Sequence, residues 1–167
     1  MVSYQLENLV LDKGAEDRYY VIMIREATHN DLDIVVKLGL SFFNEAKTEL
    51  TPKFSEEKAI AVICNMIDNG DCILYVAEHD GVIVGMIGAM ISEHWFSEEI
   101  IAQELFWYVL PEHRGFGIEL LDMLEIKAKE LGVSKIAMVD LDGKSPISTI
   151  LRRRGYSVHE KSYVKGI

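Results

Sequence analysis

The sequence has little cysteine and no apolar segment long enough to cross a bilayer. Two cysteines among 167 residues, Cys64 and Cys72, exclude a disulfide-rich scaffold and suit a reducing compartment. The longest apolar run, residues 82–91, falls well short of the about 18–20 residues that a transmembrane helix needs. The first residues lack the basic stretch and apolar core of a secretory signal. We therefore expect a cytoplasmic protein that does not enter membranes.

Basic residues are also scarce, since 17 Lys and Arg face 27 Asp and Glu for a formal net charge of −10. This balance argues against nucleic-acid binding and is compatible with a cationic substrate. The length favours one domain with its own core. We place that domain at residues 23–167, after an N-terminal extension over residues 1–22. The extension fits a short strand or hairpin as well as it fits irregular structure.

The hydrophobic periodicity predicts a mixed α/β fold with antiparallel early strands. Asp80-Gly81 is typical of a two-residue hairpin turn, while Gly132 and Gly155 follow the ends of helices. Strands are predicted at 22–27, 72–78, 82–92, 101–110, 135–140 and 156–164, and helices at 30–46, 55–68, 118–131 and 145–154.

A basic, glycine-rich turn joins a strand to a helix within WYVLPEHRGFGIELL, residues 107–121. The free N–H groups at a helix start suit phosphate oxygens. Gly115 and Gly117 let the backbone approach a ligand closely, and Arg114 adds a positive charge. The segment therefore predicts a site for a pyrophosphate.

Two common nucleotide-binding motifs fit this segment poorly. A dinucleotide-binding fold needs a third glycine where Leu120 stands, although Asp140 is placed to bind a ribose. A P-loop needs a glycine where Met138 stands, although Gly143-Lys144-Ser145 matches its end.

The same stretch resembles motif A of the GNAT superfamily of N-acetyltransferases, a strand followed by P-E-x-R-G-x-G-[IV] and a helix. The resemblance covers about 145 residues, and it adds to the α/β prediction a mostly antiparallel sheet with helices on both faces and two splayed strands. The matching residues are Val109, Leu110, Pro111, Glu112, Arg114, Gly115, Gly117 and Ile118.

By this resemblance, acetyl-coenzyme A is the co-substrate and lies between the splayed strands. The pantetheine arm would pair with the backbone of Val109 and Leu110. The backbone amides of Arg114, Gly115, Phe116, Gly117 and Ile118, with the Arg114 side chain, would hold the pyrophosphate. An amine would then attack the thioester directly, without a covalent enzyme intermediate.

We identify Glu104 as the candidate general base, because several family members place a glutamate on this strand and an attacking amine must lose a proton. Strict alternation puts Glu104, Phe106 and Tyr108 on one face of the strand. Tyr108 is the candidate for donating a hydrogen bond or a proton to the leaving thiolate.

Three positions depart from the family pattern. Leu151 replaces the tyrosine that many members use as general acid, and Ser145 replaces an asparagine. Glu119 stands where the family has a small residue, close to the pyrophosphate. These departures leave open a coenzyme-binding or partner-binding module without turnover, and the fold also admits a different acyl donor.

The remaining polar features have weaker interpretations. The five histidines show no metal-ligand spacing, so we expect no metal site. Residues 152–154 form a basic run that is either a solvated helix end or a contact for the 3′-phosphate of the coenzyme or for an acidic partner. The acidic, aromatic stretch SEHWFSEE, residues 92–99, is either an ordinary charged surface loop or, by the resemblance, a loop near the acceptor site that selects a cationic amine. Whether the acceptor is a small molecule or a protein amine stays open, as does the oligomeric state, although dimers are frequent in the family.

Overall fold

The computed structural model of the protein describes residues 8–13, 19–46, 51–140 and 146–166. Within these ranges the backbone forms six strands and four helices. The strands are β1 (Asn8–Lys13), β2 (Tyr19–Glu26), β3 (Cys72–His79), β4 (Val82–Glu93), β5 (Ile100–Val109) and β6 (Lys135–Ala137), and the helices are α1 (Leu32–Glu45), α2 (Glu56–Asp68), α3 (Gly117–Glu130) and α4 (Pro146–Arg153).

The strands form one open sheet in chain order, β1-β2-β3-β4-β5-β6. The first five strands pair antiparallel, and only β6 runs parallel to its neighbour β5. The parallel pair is joined by α3, as a crossover connection requires. This arrangement confirms the predicted mixed, mostly antiparallel fold.

Helices cover both faces of the sheet and bury two apolar cores. On one face α1 and α2 contribute Val35, Leu38, Ile63 and Met66. On the other face α3 and α4 contribute Leu120, Leu121, Leu124 and Leu151. Each fully buried side chain of this size adds about 1.5–3 kcal/mol to the hydrophobic stabilisation. Residues that alternate along a central strand therefore contact different helices.

The local turn and helix-end signals of the sequence are confirmed. Asp80 and Gly81 both have positive φ, 50° and 79°, as a type I′ hairpin turn between β3 and β4 requires. Gly132 and Gly155, with φ of 73° and 89°, follow α3 and α4. The Ser55 hydroxyl accepts a hydrogen bond from the Lys58 N–H and caps α2.

A buried ion-pair network fixes the start of α1 to the sheet. Two guanidinium nitrogens of Arg25 on β2 donate to the Asp31 carboxylate over 2.8 and 2.9 Å, and a third donates to Glu78 on β3. The backbone N–H and the hydroxyl of Thr28 donate to the same carboxylate. Hydrogen bonds from Arg25 lower the pKa of Asp31 to about 2.

The predicted strand over residues 156–164 is wrong, because the structure has no strand there. The Tyr156 hydroxyl donates to Glu125 on α3, which holds the start of this segment against a helix. The apolar side chains that follow, Val158, Tyr163 and Val164, are exposed. Strand propensity without a neighbouring strand to pair with does not form a strand.

One further strand boundary differs from the sequence analysis. β6 ends at Ala137, whereas the prediction continued to residue 140. In the N-terminal extension, β1 pairs with β2 over Asn8–Lys13, in agreement with the strand interpretation. The division of the chain at residue 22 stays a prediction.

Candidate active site

The two parallel strands at the edge of the sheet separate after three residue pairs. Ile101, Ala102 and Gln103 of β5 pair with Lys135, Ile136 and Ala137 of β6, and the pairing then stops. β5 continues to Val109, so residues 104–109 have no partner in β6. Along this part of β5 the backbone groups that point away from β4 have no β6 partner in the described ranges, and we call the space beside them the gap between the splayed strands.

Backbone direction determines which residues address the gap. The Leu110 N–H donates to the Val84 carbonyl over 2.9 Å, toward β4, and the Leu110 carbonyl accepts from His113. Because neighbouring residues of a strand direct their backbone groups to opposite sides, Val109 directs its own away from β4. Of the two residues predicted to pair with a pantetheine arm, Val109 therefore faces the gap and Leu110 faces β4.

Glu104 lies where the strands separate. Its side chain is 6% exposed, and the carboxylate accepts a hydrogen bond from the Val139 N–H just beyond β6 over 2.9 Å. Burial raises the pKa of Glu104 to about 7, and the hydrogen bond from Val139 opposes the shift. A carboxylate with a pKa near 7 can both accept and release a proton at neutral pH, which is the property a general base needs.

Tyr108 lies on the opposite face of β5 from Glu104, which corrects the expectation of a shared face. A β-bulge at Leu105 places Glu104 opposite Ala89 but Phe106 opposite Gly88. Residues before the bulge and those after it therefore alternate out of phase. Ala89 belongs to the core under α3, whereas Phe106 and Tyr108 pack on the side of α1 and α2.

The predicted pyrophosphate loop forms a 3₁₀ turn over Pro111–Phe116 that leads into α3. The Trp107 indole N–H donates to the Gly117 carbonyl over 3.1 Å and fixes the first residue of the helix to β5. A Cβ at residue 117 would lie 3.4 Å from the Trp107 ring, an ordinary van der Waals contact, so packing against Trp107 does not by itself require glycine. No side chain of the described residues caps α3, and its first-turn N–H groups suit an anion.

The side chain of Arg114 reaches across to α1, where it forms an ion pair with the carboxylate of Glu45, the last residue of that helix. Glu45 also lies beside the Tyr108 hydroxyl. Burial, followed by the charge of Glu45, raises the pKa of Tyr108 above its ordinary value. The sequence analysis missed Glu45. An acid at the C-terminal end of a predicted helix, against the helix dipole, was the available signal.

His113, in the same loop, is half-buried. Its ring stacks on Phe116 with centroids 5.8 Å apart and lies 5.0 Å from the ring of His79. These contacts hold the loop against the β3–β4 hairpin.

The other predicted features occupy different parts of the molecule. Trp95 and Phe96, 91% and 95% exposed, follow β4. Leu151 is buried in the core under α3. Arg154 is not a solvated helix end, because it donates to Asp122 and Glu125 of α3. The predicted Ser145 lies outside the described residues.

One carboxylate oxygen of Glu119, in the first turn of α3, is shielded from solvent. Among the described residues no group of His, Cys, Asp or Glu is arranged to hold a metal ion. No helix in the described ranges is long and apolar enough to span a membrane.

The model of the Acetyltransferase (GNAT) family matches residues 40–156, which include β5, the loop and α3. The chain belongs to the GNAT acetyltransferase family. A search of curated proteins found no significant match to this GNAT chain.

Solved structures share the GNAT fold at low sequence identity. AAC(6')-Iy in complex with a bisubstrate analogue, CoA-S-monomethyl-acetylneamine, has a TM-score of 0.71 at 16% identity, over 87% of this chain and 97% of that one. A predicted acetyltransferase from Clostridium acetobutylicum with acetyl-CoA gives 0.72 at 18%, over 87% and 96%. Ribosomal-protein-alanine N-acetyltransferase from Brucella melitensis biovar Abortus gives 0.71 at 20%, over 87% and 97%. These likenesses concern the fold.

Proposed function

We propose that this GNAT protein is an N-acetyltransferase that moves the acetyl group of acetyl-coenzyme A to a primary amine, with Glu104 as the general base. The observation that carries the proposal is the buried Glu104 carboxylate at the point where β5 and β6 separate, with a pKa of about 7. A base with this pKa is half ionised at neutral pH and so can take a proton from an amine.

The open part of β5 and the start of α3 would hold the donor. Val109 offers its backbone groups to the pantetheine arm. The amides of Arg114–Ile118 and the Arg114 guanidinium would hold the pyrophosphate, which two glycines let approach closely. Solved relatives in complex with acetyl-CoA or with a CoA-containing analogue support this assignment.

In the proposed step the amine lone pair attacks the thioester carbonyl carbon. A C–N bond forms, the C–S bond breaks, and the proton lost by nitrogen goes to Glu104. The leaving thiolate takes a proton from the Tyr108 hydroxyl or from water. The buried Leu151 has no proton to donate, so α4 provides no general acid at the position where many family members have a tyrosine. A thiolate is a good leaving group, so a missing acid need not abolish turnover.

The acceptor we propose is a cationic amine, either small or part of a protein. The charge of −10 and the exposed Trp95-Phe96 pair next to acidic residues support a cationic partner. Homodimer formation, cytoplasmic location and the absence of a metal are part of the same proposal.

Acetyl-CoA and a panel of primary amines, followed by release of free thiol, test the proposed function. Amine-dependent thiol release that Glu104→Gln suppresses is the expected result. Coenzyme binding by calorimetry without turnover on any amine would support the second candidate, a module that binds coenzyme A or a partner, which the buried Leu151 favours. Titration with other acyl-coenzyme A donors tests whether the donor is acetyl. Absence of coenzyme binding would overturn both functions.

A further inference from the structure

Glu45 connects the two halves of the candidate site. Its carboxylate forms an ion pair with Arg114 of the pyrophosphate loop and lies beside the Tyr108 hydroxyl of β5. One turn earlier in α1, Phe42 packs against Tyr108 with ring centroids 6.1 Å apart. Glu45 therefore lies where three parts of the site meet: the loop that carries Arg114, strand β5 and helix α1.

The position of Glu45 does not serve the stability of its own helix. Glu45 ends α1, where the helix dipole disfavours a negative charge, and the last turn of α1 has no basic residue. The compensating charge comes from Arg114 on another element. Both side chains are about half exposed, so their ion pair can exchange partners without disturbing either core.

We propose that Glu45 exchanges partners during the reaction cycle and selects acceptors that carry a second ammonium group. Without coenzyme, Glu45 holds Arg114. When the pyrophosphate takes the guanidinium, the Glu45 carboxylate is released beside Tyr108 and binds an ammonium group of the acceptor that does not react. This inference rests on the proposed function and names the substrate class as diamines and polyamines.

The chemistry follows from competition for one guanidinium. Arg114 offers a planar set of donors that pairs with a carboxylate or with phosphate oxygens, and the doubly charged pyrophosphate is the stronger partner. The released carboxylate has an unbalanced charge that a cation satisfies. Because α1, which carries Glu45, packs on the face of β5 opposite to that of Glu104, an acceptor that contacts both carboxylates must have separate amino groups for binding and reaction.

Calorimetry with coenzyme A tests the exchange. Glu45→Gln should bind coenzyme A about two- to fivefold more tightly than the unchanged protein, because no ion pair has to be broken. In an Arg114→Gln background the same substitution should have no effect on this affinity. Glu112→Gln is the matched control. It removes an equal charge from the loop that carries Arg114, but the described contacts include no ion pair between Glu112 and Arg114. Unchanged or weaker binding by Glu45→Gln, or an equal gain in Glu112→Gln, would overturn the exchange.

Titration with 1,5-diaminopentane and 1-aminopentane tests acceptor selection. Saturating coenzyme A should tighten binding of the diamine about fivefold or more, and this coupling should vanish in Glu45→Gln. The monoamine should show no such coupling. If the affinity for the diamine does not change with coenzyme A, or if its dependence on coenzyme A persists in Glu45→Gln, the proposed acceptor selection is wrong. Since these titrations need no turnover, they are decided separately from the thiol-release assay, so a failure of this inference can be distinguished from a failure of the proposed function.

Discussion

At the scale of single residues, Glu104 determines how the proposed activity depends on pH. The base acts in its ionised form, and burial raises its pKa to about 7, so kcat/KM should fall as the pH drops below 7. Glu104→Gln should lower kcat by roughly 10²-fold and remove this limb of the profile. Coenzyme A affinity should hardly change. A variant that retains the normal rate from pH 6 to 9 would remove Glu104 from the mechanism.

Tyr108 is proposed to act on the leaving thiolate, so its substitution should affect turnover more than binding of acetyl-CoA. Burial raises the pKa of its hydroxyl, which keeps the proton available at neutral pH for a leaving thiolate. Tyr108→Phe should therefore reduce kcat more than it raises KM for acetyl-CoA. Phe42→Leu, which alters the packing around the ring but keeps the hydroxyl, is the control. Identical kinetics for Tyr108→Phe and the unchanged protein would leave water as the proton source.

The charge of Glu119 should weaken coenzyme binding and stabilise helix α3. A carboxylate in the first turn of α3 repels a pyrophosphate there by about 1 kcal/mol after screening, yet favours the helix by about 0.3–1 kcal/mol. Glu119→Ala should bind acetyl-CoA several-fold more tightly at low salt and lose a little thermal stability. Glu130→Ala, at the other end of α3, is the control for net charge. Weaker binding by Glu119→Ala at every salt concentration would make Glu119 a ligand-organising residue.

Whether a feature of the site can be predicted from the sequence depends on how far apart in sequence the contacting residues are. The run from Val109 to Ile118 is contiguous, so its pattern predicts the loop and the helix start from local signals alone. Burial raises the pKa of Glu104 and the hydrogen bond from Val139, a residue just beyond β6 and distant in sequence, limits that rise. The link from Glu45 to Arg114 likewise crosses from α1 to the loop. The Glu104 contact has no signature in the neighbouring sequence. For Glu45 the signal is an acid at the C-terminal end of its helix, which does not identify Arg114 as the partner.

At the scale of elements, predictions succeeded where the physics is local and failed where it is not. The Asp80-Gly81 turn and the helix ends before Gly132 and Gly155 each rest on a few neighbouring residues and are confirmed. The bulge at Leu105 shifts the alternation of β5, and strict period-two analysis cannot detect it. The strand predicted at 156–164 needed a pairing partner that strand propensity does not provide.

Arg154 fastens α4 to α3 and predicts a difference among three neighbouring arginines. Its guanidinium donates to Asp122 and Glu125, whereas Arg152 and Arg153 are exposed. Arg154→Ala should lower the free energy of unfolding by roughly 1 kcal/mol, since charged hydrogen bonds are lost from a partly exposed site. Arg153→Ala, the matched control, should stay within about 0.5 kcal/mol in the same urea titration. Equal stability of the two variants would show that the contacts of Arg154 with Asp122 and Glu125 do not stabilise the fold.

At the scale of the whole molecule, two buried carboxylates should shape the pH dependence of stability in opposite ways. Glu104 has a folded pKa of about 7 against 4.5 for the free side chain, so the folded state binds more protons and stability falls as the pH rises from 4.5 to 7. Asp31 has a folded pKa of about 2 against 3.8, so stability falls as the pH drops through that interval.

Together these residues place the maximum of stability near pH 4–5, which is also close to the isoelectric point of about 4.9, where repulsion among the excess acids is least. Urea titrations from pH 2 to 9 should show both limbs, with about 2–3 kcal/mol from Glu104 and about 2 kcal/mol from Asp31. Glu104→Gln should flatten the neutral limb and stabilise the protein at pH 8 while it loses activity. Asp31→Asn should lower stability at neutral pH and flatten the acid limb. A Glu104→Gln variant less stable than the unchanged protein at pH 8 would show that the ionised carboxylate stabilises the junction of β5 and β6 through Val139 by more than its burial costs.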